Sequence, residues 1–306
     1  MKVAFFSETG NNQKYPRDFP NARTEVAWCL ALDAPMCSLE YLPDGHFDLG
    51  IVIVPKNNPK VSLDYIRNCC DKVAVMQEGP HWYFQDYAIE QQFHYYNTLR
   101  SADWVYCHNE SDVTYYSGLG CKDVRVMRSL MIPEGILPRS EWGDETIIGG
   151  NFVSWYGGFD SYIVAREIGD PIHAPSMGRK QSQEDAIEDI QYMDYMSWRE
   201  WIDNLSQYNI GVHLMRTHAA GTFAMNCAFH GIPCIGYKGL DTQEILHPYL
   251  SVKVGDLDKA KYLAKELKKD DGFYEMCSKT SLKRFNKYYT EKAWKENWKQ
   301  INHSSI

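Results

Sequence analysis

Short apolar runs recur along the chain, each closed by glycine or polar residues and followed by a stretch whose apolar positions fall three and four apart. Val3-Ala4-Phe5-Phe6, Asp48 to Pro55, Lys72 to Met76, Trp104 to Asn109 and Asp123 to Arg128 read as strands of a first half. Asp48 to Pro55 is almost unbroken in its apolar character, as in a parallel strand buried on both faces. Helices over 21–33, 63–70, 87–99 and 110–116 alternate with these strands. The second half restarts the rhythm, with strands at 151–156, 171–177, 209–214, 234–237 and 250–254, helices between them and a helical, Lys-rich tail. Strand and helix alternating through two halves predict an α/β protein with two Rossmann-like parallel-sheet domains.

The stretch from Asn209 to Tyr237 organises the second half. Ile210, Val212 and Leu214 alternate as a strand, His218 to Thr222 breaks the pattern, and a short helix runs from Phe223 to Phe229. Gly231 stops that helix, Pro233 prevents its return, and Cys234 to Tyr237 makes the next strand. A small-residue turn entering a helix aims free N–H groups and the positive end of a dipole at one spot, here Gly221 and Thr222, which suits a diphosphate. The alternative is a helix that only packs on its sheet. Gly157-Gly158, between the strand at 151–156 and a helix at 161–168, makes a second such turn. Arg179 and Lys180 close another strand and Arg216 follows the central one, three cations able to offset phosphate charge or simply to face solvent. Ser197 with Glu200 three residues later reads as a capping box opening the helix to Leu205.

In the first half, ligand contacts are expected beyond the carboxyl ends of strands. There Glu8-Thr9-Gly10-Asn11 follows the first strand and Gln77-Glu78-Gly79-Pro80-His81 follows the third. Glu78 and His81 are the candidate catalytic pair, because a hydroxyl nucleophile needs a carboxylate or imidazole to take its proton. A capping Glu beside a surface His would leave the same pattern. Asp86 is a weaker third candidate, and Asp256-Leu257-Asp258, at a helix start, reads as capping rather than as a metal site.

The segment Ala228-Phe229-His230-Gly231-Ile232-Pro233, with the turn and helix before it, resembles the nucleotide-sugar-binding segment of GT-B glycosyltransferases, specifically the large retaining subgroup. That subgroup carries two acidic residues, which fall here on His218 and Asn226. Ala102-Asp103 before a strand ending in His108-Asn109, and the final helix with Trp294 and Trp298, are similar to other parts of the family. The resemblance implies two domains facing across a cleft, with residues 1–136 binding the acceptor and residues 137–150 as a linker. Residues 151–284 would bind the nucleotide sugar, and a helix at 285–306 would cross back to the first domain. It implies donor contacts at His218 and Asn226, a base pocket near Met193 and Tyr195, and acceptor contacts at Glu8 to Asn11. No catalytic metal and no cofactor beyond the nucleotide-diphosphate sugar are expected.

Bulk properties limit the alternatives. The 306 residues suit two domains of about 150 each. Net charge is −8, and acidic residues outnumber basic ones over 1–145, which disfavours a nucleic-acid duplex on the first half, although Lys residues beyond Lys253 could form a basic strip. Nine cysteines without a paired CxxC pattern suggest a reducing, cytoplasmic setting, and no run is long enough to span a membrane. No GxGxxG follows a strand and no GxxxxGK[ST] occurs, which weakens a dehydrogenase or a P-loop kinase. The expected activity is transfer of a sugar to a hydroxyl of a glycan, a small molecule or a lipid-linked sugar. A transferase acting on hydroxymethylated pyrimidine in DNA, a non-catalytic nucleotide-sugar or glycan-binding module, and a sugar epimerase remain as alternatives. Oligomeric state stays open.

Overall fold

The structure is a computed structural model describing residues 1–55, 60–77, 79–150, 152, 156–169, 171–175 and 187–302. The chain divides into two compact units. The first comprises Met1–Ile132, His218–Ala220 and Glu291–Ile306, and the second Pro133–Thr217 and Gly221–Thr290.

The first unit holds a six-stranded sheet of β1 (Val3–Ser7), β2 (Met36–Ser38), β3 (Phe47–Val54), β4 (Cys70–Gln77), β5 (Trp104–Cys107) and β6 (Val124–Val126), in the order β2-β1-β3-β4-β5-β6. Every pairing is parallel, and the apolar run of β3 is buried because β1 and β4 flank it. Gly50 lets β3 pass its neighbours closely, since a Cβ there would come within 2.8 Å of Cys70 Sγ. Helices α1 (Thr24–Leu32), α2 (Leu63–Ile66), α3 (Ile89–Ser101) and α4 (Glu110–Gly118) connect the strands. The helix expected over 63–70 is a single turn, because Cys70 already pairs with Phe47 at the start of β4. A 3₁₀ helix at His81–Asp86 precedes α3, and β2 was not anticipated.

The second unit contains β7 (Glu145–Ile148), β8 (Ile172–Ala174), β9 (Ile190–Tyr192), β10 (Tyr208–His213), β11 (Cys234–Tyr237) and β12 (Ser251–Val252), again all parallel, in the order β12-β11-β10-β7-β8-β9. Its helices are α5 (Gly158–Ala165), α6 (Trp198–Leu205), α7 (Thr222–Phe229), α8 (Asp241–Leu246), α9 (Leu257–Lys269) and α10 (Asp271–Tyr288). The capping box of α6 is present, and Asp256 caps α9 by accepting from the Lys259 amide.

Two expectations change here. The first strand of this unit is β7, inside the range read as linker, rather than 151–156, most of which lies outside the described residues. The segment before β7 is also tied to the unit. The Arg139 guanidinium donates to the carbonyls of Tyr208, His230 and Gly231 and to the Tyr274 hydroxyl, at 2.6 to 3.1 Å. Between β11 and β12 the chain forms α8 from Asp241.

The last helix, α11 (Glu291–Asn302), belongs to the first unit. Its indoles Trp294 and Trp298 stack at 5.5 Å and are almost fully buried. Trp294 Nε1 donates to the Arg128 carbonyl, and the Asn302 side chain accepts from Tyr106 Oη and Arg125 Nη1. Burial of two indoles supplies most of the hold, and these bonds fix its register. Among the described residues no helix is long and apolar enough to cross a membrane.

Candidate functional site

The strand order of the second unit fixes where a ligand would sit. Its chain begins at β7, moves outward through β8 and β9, then returns to β10 and continues to β11 and β12 on the other side. This is the order of dinucleotide-binding sheets, and the crevice opens between the carboxyl ends of the two strands where the direction reverses. Those strands are β7 and β10, which pair directly.

Each leads to a helix whose N-cap is a left-handed glycine, Gly157 (φ +66°) before α5 and Gly221 (φ +63°) before α7. Neither helix has a side-chain cap, so the first-turn amides are left for other partners. In α5 the negative charge is already supplied by Asp160, which accepts from Arg216 Nη2 at 3.0 Å and from Tyr237 Oη at 2.8 Å. In α7 the first turn carries no acidic residue. The N-terminus of α7 is therefore an uncapped donor set beside the switch point, suited to an anion.

Only some of the donor residues expected from sequence reach this place. Gly157, Gly158, Gly221 and Thr222 form the two helix starts, and Arg216, with its side chain 59% exposed, is oriented by Asp160. Met193 is half-buried against the core, accepting the Tyr208 hydroxyl at 3.3 Å, and Tyr195 is exposed. Asn226 is buried inside α7. With its amide oriented to satisfy both ends, it donates to the Thr222 carbonyl and accepts from Trp201 Nε1, so it serves the core rather than a ribose. Arg179 and Lys180 lie outside the described residues.

In the first unit the direction reverses between β1 and β3, and Glu8, Thr9, Gly10 and Asn11 occupy the carboxyl end of β1. Gly10 is pressed against the Cys37 carbonyl, where a Cβ would meet the oxygen at 1.9 Å, and the Asn11 amide donates to the Met36 carbonyl. The loop is thus held by backbone, with the side chains of Glu8, Thr9 and Asn11 toward solvent.

A titratable cluster lies beyond β4 and β5. His81 opens the 3₁₀ helix after β4, and Asp112 stands in the first turn of α4 after β5. Asp112 Oδ1 lies 3.5 Å from His81 Nδ1 and 3.4 Å from His218 Nδ1. These are ion-pair distances rather than aligned hydrogen bonds. Asp112 Oδ2 accepts from Asn109 Nδ2 at 3.0 Å, and the same amide donates to the Ala219 carbonyl at 3.1 Å. Burial raises the carboxyl's pKa, but His218, His81 and Asn109 outweigh it and hold Asp112 well below the usual carboxylate range. The His81 ring packs on Tyr115 with centroids 4.0 Å apart, and Ser111 Oγ lies 3.2 Å from His218 Nδ1.

The arrangement is one buried carboxylate shared by two imidazoles, a geometry that can orient either ring. His218, expected with the donor, instead packs in the first unit beside His81. Asp112 was missed, its only sequence signal being the strand-end Asn109 three residues earlier. Glu78 lies outside the described residues. Among the described residues no group of three His, Cys, Asp or Glu side chains is placed to hold a metal ion.

No protein-family model matches the chain, and no curated protein matches it. Solved structures do. Sucrose-phosphate synthase from Thermosynechococcus elongatus superposes with a TM-score of 0.70 at 12% identity, covering 99% of this chain and 98% of that one. An α-glucosyltransferase in complex with UDP-glucose and DNA containing an abasic site superposes with a TM-score of 0.64 at 13% identity, over 98% and 99% of the two chains. S. aureus TarM, in complex with fondaparinux, α-GlcNAc-glycerol and UDP, gives 0.64 at 11% identity over 82% of this chain. This chain spans about half of TarM, 55% of its length. At these identities the likeness establishes the fold, and that fold is GT-B.

Proposed function

We propose that this GT-B chain is a glycosyltransferase that moves a sugar from a nucleotide-diphosphate sugar to a hydroxyl acceptor. The observation that carries the reading is the uncapped, acid-free N-terminus of α7 at the switch point of a sheet with dinucleotide-binding order. The second unit would hold the donor, with the α7 amides and Arg216 meeting the charge that develops on the diphosphate as the sugar–phosphate bond breaks. Gly157 and Gly158 keep the α5 start open to the same ligand. The first unit would hold the acceptor at Glu8 to Asn11. His81 or His218, supported by Asp112, takes the hydroxyl proton as the new bond to the anomeric carbon forms. Glu78 stays a candidate in the same role. Helix amides and arginine supply the stabilisation that a metal would otherwise give, so turnover should proceed in chelator.

A second reading has one observation in its favour. An α-glucosyltransferase solved with UDP and DNA containing a HMU base matches over 98% of this chain and 99% of its own, which keeps a hydroxymethylated base among the acceptors, against the chain's net charge of −8. The test is incubation with a panel of nucleotide sugars in EDTA, with saccharides, glycerol-type alcohols or hydroxymethylated DNA as acceptors, read by mass spectrometry. Transfer to one acceptor class, lost in Asp112→Asn, supports the reading and selects between the two acceptors. Donor binding without transfer or donor hydrolysis would contradict it and leave a binding module.

A further inference from the structure

Helix α3 is apolar on two opposite faces. One packs into the first unit through Tyr95, Thr98 and Leu99. The other carries Ile89, Phe93, Tyr96 and Arg100, at i, i+4, i+7 and i+11, which fall within about 60° of one another around the helix. Ile89 is 70% exposed and Phe93 65% exposed, the two most exposed apolar side chains of this helix. The Arg100 guanidinium stands over the Tyr96 ring at 5.2 Å and donates to its hydroxyl at 3.1 Å, which closes the stripe at its C-terminal end. Glu90, exposed in the first turn, flanks it at the other end.

We propose that this stripe is a self-association surface on which a second copy of the chain docks, the two α3 helices running antiparallel about a two-fold axis at the level of Tyr95. The charge pattern selects that partner. Glu90 and Arg100 stand five residues either side of Tyr95, so the two-fold places Glu90 of one copy against Arg100 of the other, twice, while Phe93 and Tyr96 meet at the centre. An anionic lipid surface would be repelled by Asp86 and Glu90, and a small apolar ligand requires a concavity where this surface is a convex ridge. A single helix pair buries less than the roughly 1,200 Å² of a stable interface, so the dimer is weak and forms at high protein concentration. The proposal is independent of the sugar-transfer reading, and nucleotide binding serves as its control.

Sedimentation velocity over about 10 to 500 μM tests it. The expected result is a monomer–dimer equilibrium weakened about tenfold or more by Phe93→Glu and by Glu90→Arg or Arg100→Glu singly. The double exchange Glu90→Arg with Arg100→Glu restores it, with nucleotide binding unchanged throughout. All three positions are solvent-facing, so the variants keep the fold, which thermal unfolding checks. A monomer at every concentration, a dimer indifferent to Phe93→Glu, or a double exchange no better than either single change would each overturn the proposal.

Discussion

Replacing Gly221 by alanine probes the start of α7 with a cost that the structure resolves into two parts. The residue sits at φ +63°, and a Cβ there would come within 2.2 Å of Thr242 Oγ1 and 3.4 Å of Thr242 Cβ. The left-handed backbone alone costs an L-residue about 1–2 kcal/mol. Overlap with the buried Thr242 hydroxyl adds about 1–3 kcal/mol of the kind seen on overpacking a core. Thr242→Ala removes the oxygen and leaves ordinary contacts with the residue 242 Cβ at 3.4 Å and Leu240 Cδ1 at 3.5 Å, so in that background Gly221→Ala should cost the backbone part alone.

Gly157→Ala is the contrast. Its φ of +66° is nearly the same, but the added Cβ would meet the Leu214 carbonyl oxygen at 2.1 Å and its carbon at 2.7 Å. That wall is backbone, and no side-chain change can relieve it. Calorimetry of the single and double variants, with about 2–4 °C expected for each kcal/mol in a chain of this size, measures the coupling. A Gly221→Ala protein as stable as the parent, or a penalty that Thr242→Ala leaves untouched, would refute the reasoning.

Three further outcomes are expected. Arg216→Ala should weaken nucleoside-diphosphate binding about tenfold. Its ion pair with Asp160 is exposed only on the arginine side, and Asp160 keeps the bond from Tyr237 Oη, so the unfolding temperature should drop by about 2–4 °C at most. Asp112→Asn should slow transfer by about 10²-fold or more. The folded-state pKa of Asp112 is depressed, so its stabilisation is present above the unfolded carboxyl value and lost as pH falls through the folded one; at neutral pH the variant should be less stable than the parent in urea melts. Stability of the second unit should also fall between about pH 6.5 and pH 4. His230 and His247 are pushed down to about 4 by burial, which Arg139 reinforces at His230 and which the Ile202 and Ala224 carbonyls oppose. Each ring's Nδ1 already accepts a backbone N–H, from Arg139 and from Cys234. The unfolded chain therefore binds protons that the folded chain refuses, and His247→Gln should flatten the urea-midpoint profile in that window.

The architecture was legible where periodicity and turn chemistry agreed, as from Asn209 to Tyr237, where an alternating strand, a glycine turn and a Gly-X-Pro helix stop leave few other arrangements. It was not legible at β7, because Glu145–Ile148 and the run after Gly149-Gly150 are both short and apolar, and pairing with β10 decides between them. The three residues of β2 carry too little pattern to be seen.

Within the candidate site, the glycine turns were legible because a left-handed N-cap is a local requirement, met at Gly157 and Gly221. Asn226 did not transfer. Every side chain from Phe223 to Phe229 is buried, so past its first residue that helix can offer a ligand only its first-turn amides. The Asp112 cluster was hidden for a different reason. It joins residues 31 and 106 positions away, His81 and His218, and no local pattern reports a contact of that separation.

The central claim is that the second unit binds a nucleoside diphosphate and its sugar at the start of α7. Isothermal titration of the protein with nucleoside diphosphates and nucleotide sugars, up to about 1 mM, tests it most directly. The account predicts saturable one-site binding selective for one base, weakened by Arg216→Ala and by Gly221→Ala and unchanged by Phe93→Glu. No saturable binding of any of these ligands, or binding that both second-unit variants leave intact, would contradict it.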